Sequence, residues 1–546
     1  MLQKTPLKIL HIISGNLNGG AARGAYLLHK ELLNQGIKSE IVTDSEYPIK
    51  EDKYIWYIKK NLLQSDKALL SFYPKHLNQI FSSGLFGCDI TKFEAYKEAD
   101  IIHLHWINNN FLDLSCLTKI SKPIIWTLRD MWSMTGGCHY SMDCTLFYTF
   151  CQNCPVLNSN HGHDLSSFIM QKKIECYSDN NIVFIGVSPW LSQEAKKSFL
   201  LKQYQIKTIY NGVDPSVFYP VDKKDARVNI GVDTKKKIIT VVSQKIDTFY
   251  KGFDLFTQAV NLLDASKYFI CFVGNIDINN VRAQLANFEI KFFGYIDDDN
   301  ILKNIYNASD VFVAPSKMEA FGKTLVESMF CATPVVCFDA SGPAALVQHK
   351  ITGYKACPFS VEDLAKGIEW VCFYANYKKL SKKTLEVSND LFSIKKITEQ
   401  YVNQYRDVLS NKAQVSKANI PVQTLLSYEC DIEEVHGKSI KYWKKITLSQ
   451  LKKLSQKSQK YVIYGFGTYG KGIAEFLQKG SFTFVDQSSA LISENIQEGE
   501  VYSPENLYHI PYDKVIISAL GREDEIEKYL VETLHVSKEK IIRLAL

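Results

Sequence analysis

Two glutamates, Glu319 and Glu327, have seven residues between them in a segment that follows an apolar strand and opens a helix. The end of such a strand lies in the crevice where open parallel sheets bind ligands. Free backbone amides at the helix start attract phosphate. Ionised carboxylates accept hydrogen bonds, so the pair suits sugar and ribose hydroxyls, although two acids on the exposed face of a helix would give the same pattern. Four neighbours belong to the same predicted site: Phe321, Gly322, Lys323 and Thr324.

Three further candidates for chemistry follow predicted strands in the first part of the chain. A glycine-rich turn containing Gly19 and Gly20 joins the first strand to the first helix, where a backbone without side chains can approach a phosphate. His105 ends an apolar strand, and we weigh a ligand contact there against a structural histidine. Arg129 follows the next strand. If these strands are neighbours, all three candidates face one cleft.

Apolar runs of strand length alternate with helical patterns, which predicts an α/β fold with parallel sheets and crossover helices. In the first part, strands are predicted at 7–13, 39–43, 101–105, 123–127 and 182–187, with a helix over 21–35. In the second part, strands are predicted at 237–243, 268–274, 290–293, 311–314 and 334–338. A helix over 394–409 closes this second series and can cross back to the first.

The same pattern divides the chain into three Rossmann-like units. We predict a first domain over 1–205, with a cysteine-rich insertion at 131–165, and a second domain over 206–410. A polar stretch without a clear period predicts a linker at 411–423. The third, small α/β domain then occupies 424–546.

The glutamate segment resembles the family 4 glycosyltransferases, retaining enzymes of the GT-B fold whose mark is two glutamates separated by seven residues. The likeness continues through Ala-Thr-Pro-Val-Val at 332–336 and Gly353, and it covers roughly residues 7–409. The resemblance implies two facing Rossmann-like domains. It also implies that Glu319 approaches the donor sugar, that Glu327 binds the nucleotide ribose, and that the glycine turn is the family's first loop.

The resemblance also implies a basic pair that neutralises the donor diphosphate, usually an arginine followed by Lys-Gly. Lys251 and Gly252 match the second member, but Gln244 and Lys245 stand where the arginine is expected, so Lys245 is the substitute we predict. A lysine is a point charge without the fork of a guanidinium. Arg129 stands where many relatives have a histidine near the reacting sugar.

For mechanism, the resemblance implies same-face attack, with the leaving phosphate helping to deprotonate the acceptor and no protein nucleophile. The predicted activity is transfer of a hexose from a nucleotide diphosphate sugar to a saccharide or lipid-linked saccharide. The departure from the arginine pattern favours one alternative, a catalytically inactive nucleotide-sensing or scaffolding protein. A third interpretation is an oxidoreductase centred on the last domain.

Four cysteines fall within seventeen residues: Cys138, Cys144, Cys151 and Cys154. Four thiols this close are typical of a tetrahedral structural zinc site, and free or redox-active thiols are the alternative. A subgroup of the same family, acting in bacterial surface polysaccharide synthesis, has a similar Gly-Gly-Cys-His-Tyr and Cys-x-x-Cys-Pro pattern. The resemblance therefore implies that surface polysaccharide, lipopolysaccharide or capsule, is the pathway.

The third domain carries the glycine turn of a dinucleotide fingerprint, formed by Gly465, Gly467 and Gly470, and Asp486 stands where a ribose-binding acid would be. An NAD-type dinucleotide and a glycine turn kept for tight packing both explain this pattern. No catalytic set accompanies it.

Composition sets the remaining expectations. The chain of 546 residues has a net charge of +6 and thirteen cysteines, an odd count that favours a reducing compartment. No run of eighteen apolar residues occurs, so we expect a cytoplasmic protein that needs no cofactor for transfer and binds no nucleic acid. Residues 441–460 hold seven lysines and no acid, which fits a solvated helix face or a peripheral contact with an anionic membrane.

Overall fold

The computed structural model describes residues 7–45, 54–57, 66–178, 180–410, 453–454, 458–465, 473–474, 477, 481–487, 501–518 and 523–543. Three parallel sheets account for its strands, as the alternating pattern predicts. The predicted linker at 411–423 and most of the lysine-rich stretch at 441–460 lie outside the described residues.

The first sheet has seven strands in the order β3-β2-β1-β4-β5-β6-β7. Its strands are β1 (Lys8–Ile13), β2 (Lys38–Thr43), β3 (Ile55–Tyr57), β4 (Ile101–Leu104), β5 (Ile124–Leu128), β6 (Ile182–Gly186) and β7 (Gln205–Thr208). The helices between them are α1 (Gly20–Asn34), α2 (Asp66–Leu70), α3 (Glu94–Glu98), α4 (Leu165–Ser178) and α5 (Pro189–Lys197). Every residue of β4, β5 and β6 is buried, as expected for strands covered on both faces.

The second sheet has six strands in the order β10-β9-β8-β11-β12-β13. These are β8 (Lys237–Lys245), β9 (Tyr268–Asn275), β10 (Glu289–Phe292), β11 (Val311–Ala314), β12 (Val335–Phe338) and β13 (Gly353–Ala356). Its helices are α6 (Lys223–Asn229), α7 (Phe253–Asn261), α8 (Ile278–Gln284), α9 (Asp299–Ala308), α10 (Lys323–Phe330), α11 (Ser341–Ala344), α12 (Val361–Glu369) and α13 (Tyr377–Phe392).

Helix α14 (Ile394–Ser410) crosses back to the first domain, as the sequence predicts. Ile397, Tyr401 and Tyr405 are buried against Leu28 and Leu32 of α1 in one hydrophobic cluster. The last helix therefore ties the second domain to the first through an apolar contact.

The chain crosses between the two domains twice, and the two crossings are hydrogen-bonded to each other. The Val213 amide donates to the carbonyl of Phe392, and the Ile394 amide donates to the carbonyl of Val213, each at 2.9 Å. A Cβ on Gly212 would lie 2.4 Å from the Ile394 side chain, so only glycine allows this approach.

The third sheet has five strands in the order β16-β15-β14-β17-β18. They are β14 (Tyr461–Tyr464), β15 (Phe482–Val485), β16 (Val501–Tyr502), β17 (Lys514–Ile517) and β18 (Ile541–Arg543), and helix α15 spans Glu523–Glu532. The apolar side chains of this unit form clusters of their own among the described residues.

Candidate active site

The carboxyl ends of β1, β4 and β5 face those of β8 and β11 across a cleft between the first two domains. Two adjoining cavities of about 320 and 480 Å³ occupy this cleft. The first lies toward the second domain, and we call it the donor cavity. The second lies toward the first domain, and we call it the acceptor cavity. Gly19, Gly20, Glu319 and Lys323 line both, so the two cavities are continuous.

The donor cavity brings together most of the residues predicted from sequence. Lys245, Lys251, Thr324 and Glu327 line it, in addition to residues shared with the acceptor cavity, among them Gly19, Gly20, Glu319 and Lys323. Phe321 and Gly322 line the acceptor cavity instead, together with Arg129. Residues more than 300 positions apart in the chain thus meet in one place, because both parallel sheets present their carboxyl edges to the same cleft.

Glu319 and Lys251 form an ion pair in this structure, with Oε2 and Nζ 2.9 Å apart. The Ser316 hydroxyl also donates to Oε2, at 3.0 Å. Gly252 makes the approach possible: its φ is +69°, and a Cβ there would lie 1.9 Å from the carbonyl oxygen of Pro315. Glycine is therefore required at position 252, because the loop that carries Lys251 packs closely on the segment that carries Glu319.

Glu327 is almost completely buried and has two partners, one on its own helix α10 and one on the neighbouring helix α9. Lys323 Nζ lies 3.1 Å from Oε1, and the Tyr306 hydroxyl donates to Oε2 at 3.0 Å. Burial lowers the pKa of Lys323, and burial together with the adjacent Glu327 raises the pKa of Tyr306 well above its ordinary value. The carboxylate is thus held rigidly at the cavity wall.

Two helices begin at the cleft without a side-chain cap. Helix α10 starts after Gly322, whose φ is +101°, and α1 starts after Gly19. The first amides of an uncapped helix are unsatisfied and attract anions. Both domains therefore present a site for negative charge to the same space.

Arg23 is a cleft residue that the sequence analysis missed. It lies on the first turn of α1, lines the donor cavity, and forms an ion pair with Asp299 at the start of α9 in the other domain. The carboxylate of Glu327 also raises the pKa of its guanidinium, against the effect of burial. Its position four residues after Gly19 in the glycine turn was the available signal. A guanidinium is therefore present near Gln244 and Lys245, although it comes from the facing domain.

His105 does not line either cavity but lies behind Arg129. The Arg129 Nη2 is 3.1 Å from His105 Nδ1, and His105 Nε2 is 2.9 Å from Nδ1 of His11. His105 therefore reaches the cleft only through the Arg129 side chain. The Arg129 Nη1 also donates to Asn211. Burial lowers the pKa of Arg129 relative to its ordinary value.

Three histidines on adjacent strands form a buried cluster: His11, His103 and His105, whose ring nitrogens come within 4.8 Å of one another. His103 uses both nitrogens, at 2.7 Å from the Tyr405 hydroxyl and 2.8 Å from the Thr127 hydroxyl. Burial lowers the pKa of all three rings well below the ordinary value. These hydrogen bonds and the adjacent Arg129 cation favour a neutral polar network over a cation site.

The far wall of the acceptor cavity was also missed from sequence. Asp130 Oδ2 accepts hydrogen bonds from Trp106 Nε1 at 2.9 Å and His139 Nδ1 at 2.6 Å. Tyr140 packs against Tyr250 of the second domain, with ring centroids 4.9 Å apart. A carboxylate beside aromatic rings suits a ligand that carries both hydroxyl groups and apolar faces.

The cysteine-rich insertion supplies His139 and Tyr140 to this wall. Cys138, Cys144, Cys151 and Cys154 line a separate small cavity behind it. Among the described residues the histidine cluster is the only set of three or more whose possible ligand atoms all lie within 4.8 Å of one another. The cysteines therefore surround one space without three of their sulfurs converging in this conformation.

In the third domain, Gly465 follows β14 with a φ of +113°, and Asp486 follows the neighbouring strand β15. Both positions agree with the fingerprint geometry. Gly467 and Gly470 lie outside the described residues. Dinucleotide binding stays a prediction.

Two Rossmann-like domains that face each other across a cleft of this kind define the GT-B fold. Residues 222–382 match the family model "Glycosyl transferases group 1", and residues 457–542 match "C2185-like, N-terminal". The first match contains Lys251, Glu319 and Glu327. The second covers most of the third domain.

Curated relatives agree with the first of these matches. An uncharacterized glycosyltransferase of Methanocaldococcus jannaschii is 28% identical over 197 residues, which are 34% of this chain and 50% of that protein. N-acetyl-alpha-D-glucosaminyl L-malate synthase of Bacillus anthracis is 25% identical over 46% of this chain and 68% of that protein. For the first of these relatives, the chain spans half the length of the protein it matches.

Solved structures support the fold. Sucrose-phosphate synthase from Thermosynechococcus elongatus superimposes with a TM-score of 0.56 at 19% identity, over 74% of this chain and 99% of that one. A glycosyltransferase from Rickettsia africae gives a TM-score of 0.53 at 19% identity, over 75% and 100% of the two chains. In the described part of the protein, no helix has the length and hydropathy needed to cross a membrane.

Proposed function

We propose that the protein is a retaining glycosyltransferase that moves a hexose from a nucleotide diphosphate sugar to a saccharide or lipid-linked saccharide. The observation that carries the proposal is the meeting of Glu319, Lys251 and Glu327 with two uncapped helix starts in one cleft. Anion sites on both sides suit a diphosphate, and the carboxylates suit the hydroxyls of its sugar and ribose.

In the proposed reaction, an acceptor hydroxyl attacks the anomeric carbon on the same face from which the nucleoside diphosphate departs. The bond from the sugar to the phosphate oxygen breaks, the bond to the acceptor oxygen forms, and the acceptor proton passes to the departing phosphate. The protein contributes orientation and charge stabilisation. Lys251, Lys245 and Arg23 are the cations placed to stabilise the diphosphate as its negative charge grows.

The acceptor cavity supports a saccharide as the second substrate, because Asp130, Trp106 and Tyr140 combine a carboxylate with aromatic rings. Cell-surface polysaccharide synthesis is the pathway we favour. A putative colanic acid biosynthesis glycosyl transferase of Escherichia coli is 26% identical over 26% of this chain, which is consistent with that pathway. A cytoplasmic location, with peripheral contact at the inner face of the membrane, follows from this proposal.

The test is titration of the purified protein with UDP and GDP, in parallel with Glu327→Ala and Glu386→Ala. Glu386 is a partly exposed glutamate of α13, paired with Lys383 away from the cleft, and serves as the control. We expect saturable binding of one nucleotide that is lost in the first variant only. Hydrolysis of one sugar nucleotide over others would then separate transfer from nucleotide sensing.

The second candidate is a nucleotide-sensing or scaffolding protein of the same pathway, and Gln244 in place of the arginine favours it. Binding of a nucleotide without hydrolysis or transfer for any donor in a panel would select it. NADH binding in the absence of UDP or GDP binding, lost in Gly467→Ala, would select the oxidoreductase interpretation and overturn the proposal.

A further inference from the structure

The insertion of the first domain contacts the second domain beside the Lys251–Glu319 ion pair. The ring of Tyr140 lines the acceptor cavity and packs on the ring of Tyr250, with centroids 4.9 Å apart. Tyr250 lines both cavities and directly precedes Lys251, which lines the donor cavity. The aromatic pair therefore lies at the boundary between the two cavities and joins the two domains there.

The ring of Tyr250 also contacts the ammonium of Lys251. Nζ lies 5.7 Å from the ring centroid, within the range of a cation–π contact. The backbone of Tyr250 is fixed as well, because its carbonyl accepts hydrogen bonds from the amides of Lys317 at 2.9 Å and Met318 at 3.3 Å. A ring that packs on Tyr250 from the first domain therefore restricts where the Lys251 ammonium can lie.

Tyr140 also contacts the segment that carries Glu319. The amide of Ala320 faces the hydroxyl oxygen of Tyr140, and the Glu319 carboxylate lies close enough to interact with that hydroxyl. Burial, together with the charges of Glu319 and Asp130, raises the pKa of Tyr140 well above its ordinary value, so the hydroxyl stays protonated. The same side chain thus meets both halves of the Lys251–Glu319 pair.

The first domain supports Tyr140 through the preceding residue, His139. The two ring nitrogens of His139 lie 2.6 Å from an Asp130 oxygen and 3.0 Å from the Ser82 hydroxyl. Its amide donates to the carbonyl of Ile80 at 3.3 Å. Because both the ring and the backbone of His139 are held, a movement of the first domain relative to the second carries Tyr140 with it.

We propose that Tyr140 is a positioning residue that holds the Lys251–Glu319 pair in place from the opposite domain. The contact spans the cleft, so it forms only when the two domains are closed, and completion of the donor cavity then depends on closure. A cation stabilises a departing diphosphate best when its position is fixed beforehand. The functional consequence rests on the proposed glycosyl transfer.

Hydrogen exchange followed by mass spectrometry tests the contact without turnover. Tyr140→Ala is compared with Tyr148→Ala, a matched change in the same insertion. The Tyr148 ring packs on Phe147, and its hydroxyl donates to Glu194 of the first domain. We expect the two amides that bond to the Tyr250 carbonyl to exchange about threefold faster or more in Tyr140→Ala, and at the unaltered rate in Tyr148→Ala. Equal exchange in the two variants overturns the proposal, whether or not the protein turns over a donor.

Donor hydrolysis without an acceptor tests the functional consequence, since a lost acceptor contact cannot then contribute. We expect Tyr140→Ala to lower kcat about tenfold with little change in KM, and Tyr140→Phe, which keeps the ring, to retain most of the rate. In the Lys251→Ala background, Tyr140→Ala should cause a further loss of less than about twofold, because the two residues act through one charge.

Fully additive losses in the double variant, or an unchanged kcat in Tyr140→Ala, overturn the positioning role. Absence of hydrolysis in the unaltered protein for every donor counts instead against the proposed transfer. In that case the exchange rates of the two amides still decide whether Tyr140 holds the Lys251 loop.

Discussion

At the scale of single residues, the charge of Lys251 is the feature most directly tied to the proposed reaction. In this structure its ammonium is paired with Glu319. In the proposed transfer it is one of the cations placed to stabilise the departing diphosphate. A preorganised charge of this kind contributes mainly to the transition state.

Lys251→Ala is expected to lower the rate of donor hydrolysis or transfer about 100-fold, because one stabilising group in the transition state is lost. Binding of UDP or GDP should weaken much less. Lys317→Ala is the control, since Lys317 pairs with Asp254 outside the cleft. An unchanged rate in Lys251→Ala, measured by release of nucleoside diphosphate, would contradict the assignment.

The buried histidines predict a dependence of stability on pH. Because the pKa of His11, His103 and His105 is held well below 6.5 in the folded protein, the unfolded chain binds more protons than the folded chain below that pH. The free energy of unfolding should therefore fall as the pH decreases from 7.5 to 5.5, by up to about 1.4 kcal/mol per pH unit for each histidine.

Urea unfolding at several pH values measures this effect. His11→Asn removes one of the three titrating groups and should make the loss of stability shallower. His349→Asn replaces an exposed histidine and should leave the slope unchanged. Equal slopes in the two variants would show that His11 is not held neutral.

Part of the donor cavity could be located from sequence because Glu319 and Glu327 lie in one segment after a strand, and the resemblance to the family motif added Lys251. Glu319, Glu327 and Lys251 all line the cavity as expected. Arg23 and Asp130 could not be assigned in the same way. Their positions in the site depend on how the two domains dock and how the insertion folds back, and no local periodicity encodes either.

At the scale of elements, helix α14 connects the two domains through a polar contact as well as an apolar one. The Tyr405 hydroxyl meets His103, and the Tyr401 hydroxyl meets Thr127 at 2.9 Å. The His103 ring packs against the His105 ring, with centroids 4.0 Å apart, and His105 contacts Arg129 in the cleft. A helix at the end of the second domain thus supports the acceptor side of the site.

Tyr405→Phe should destabilise the protein by about 1–3 kcal/mol, because it leaves a buried nitrogen of His103 without its partner. The matched control is Tyr374→Phe, which removes a hydroxyl from a ring that is 71% exposed. The measurement is the midpoint and slope of urea unfolding. A Tyr405→Phe protein as stable as the control would mean that His103 finds another partner.

Elements with continuous apolar runs were the easiest to predict. The central strands β4, β5, β11 and β12 match their predicted ranges within one or two residues. Strand β7 was not predicted because it lies at the sheet edge and reads Gln-Ile-Lys-Thr, with no fully buried residue. The insertion has no period at all, so its cysteines were the only available signal.

At the scale of the whole molecule, the ion pair between Arg23 and Asp299 holds the two domains together across the donor cavity. The same guanidinium is placed to contact a bound diphosphate. The two uses compete, since Arg23 has one planar fork of donors. Removal of the Arg23 guanidinium should therefore weaken nucleotide binding. Removal of the Asp299 charge should not weaken it.

Arg23→Ala is expected to weaken UDP or GDP binding about tenfold, in line with the loss of one charged hydrogen bond. Asp299→Asn frees the guanidinium and should leave binding unchanged or strengthen it. Calorimetric titration of both variants gives the comparison. Equal weakening in the two would indicate that the ion pair acts only by closing the cleft.

The hydrogen-bonded crossings at Val213 and Phe392 limit how these domains can separate. Because both connections pass side by side, we expect any separation of the two domains to take place by rotation about this point. Gly212, which has no room for a side chain, lies directly on it. Rotation about this point would return the same opposing residues of the two domains to each other on closure.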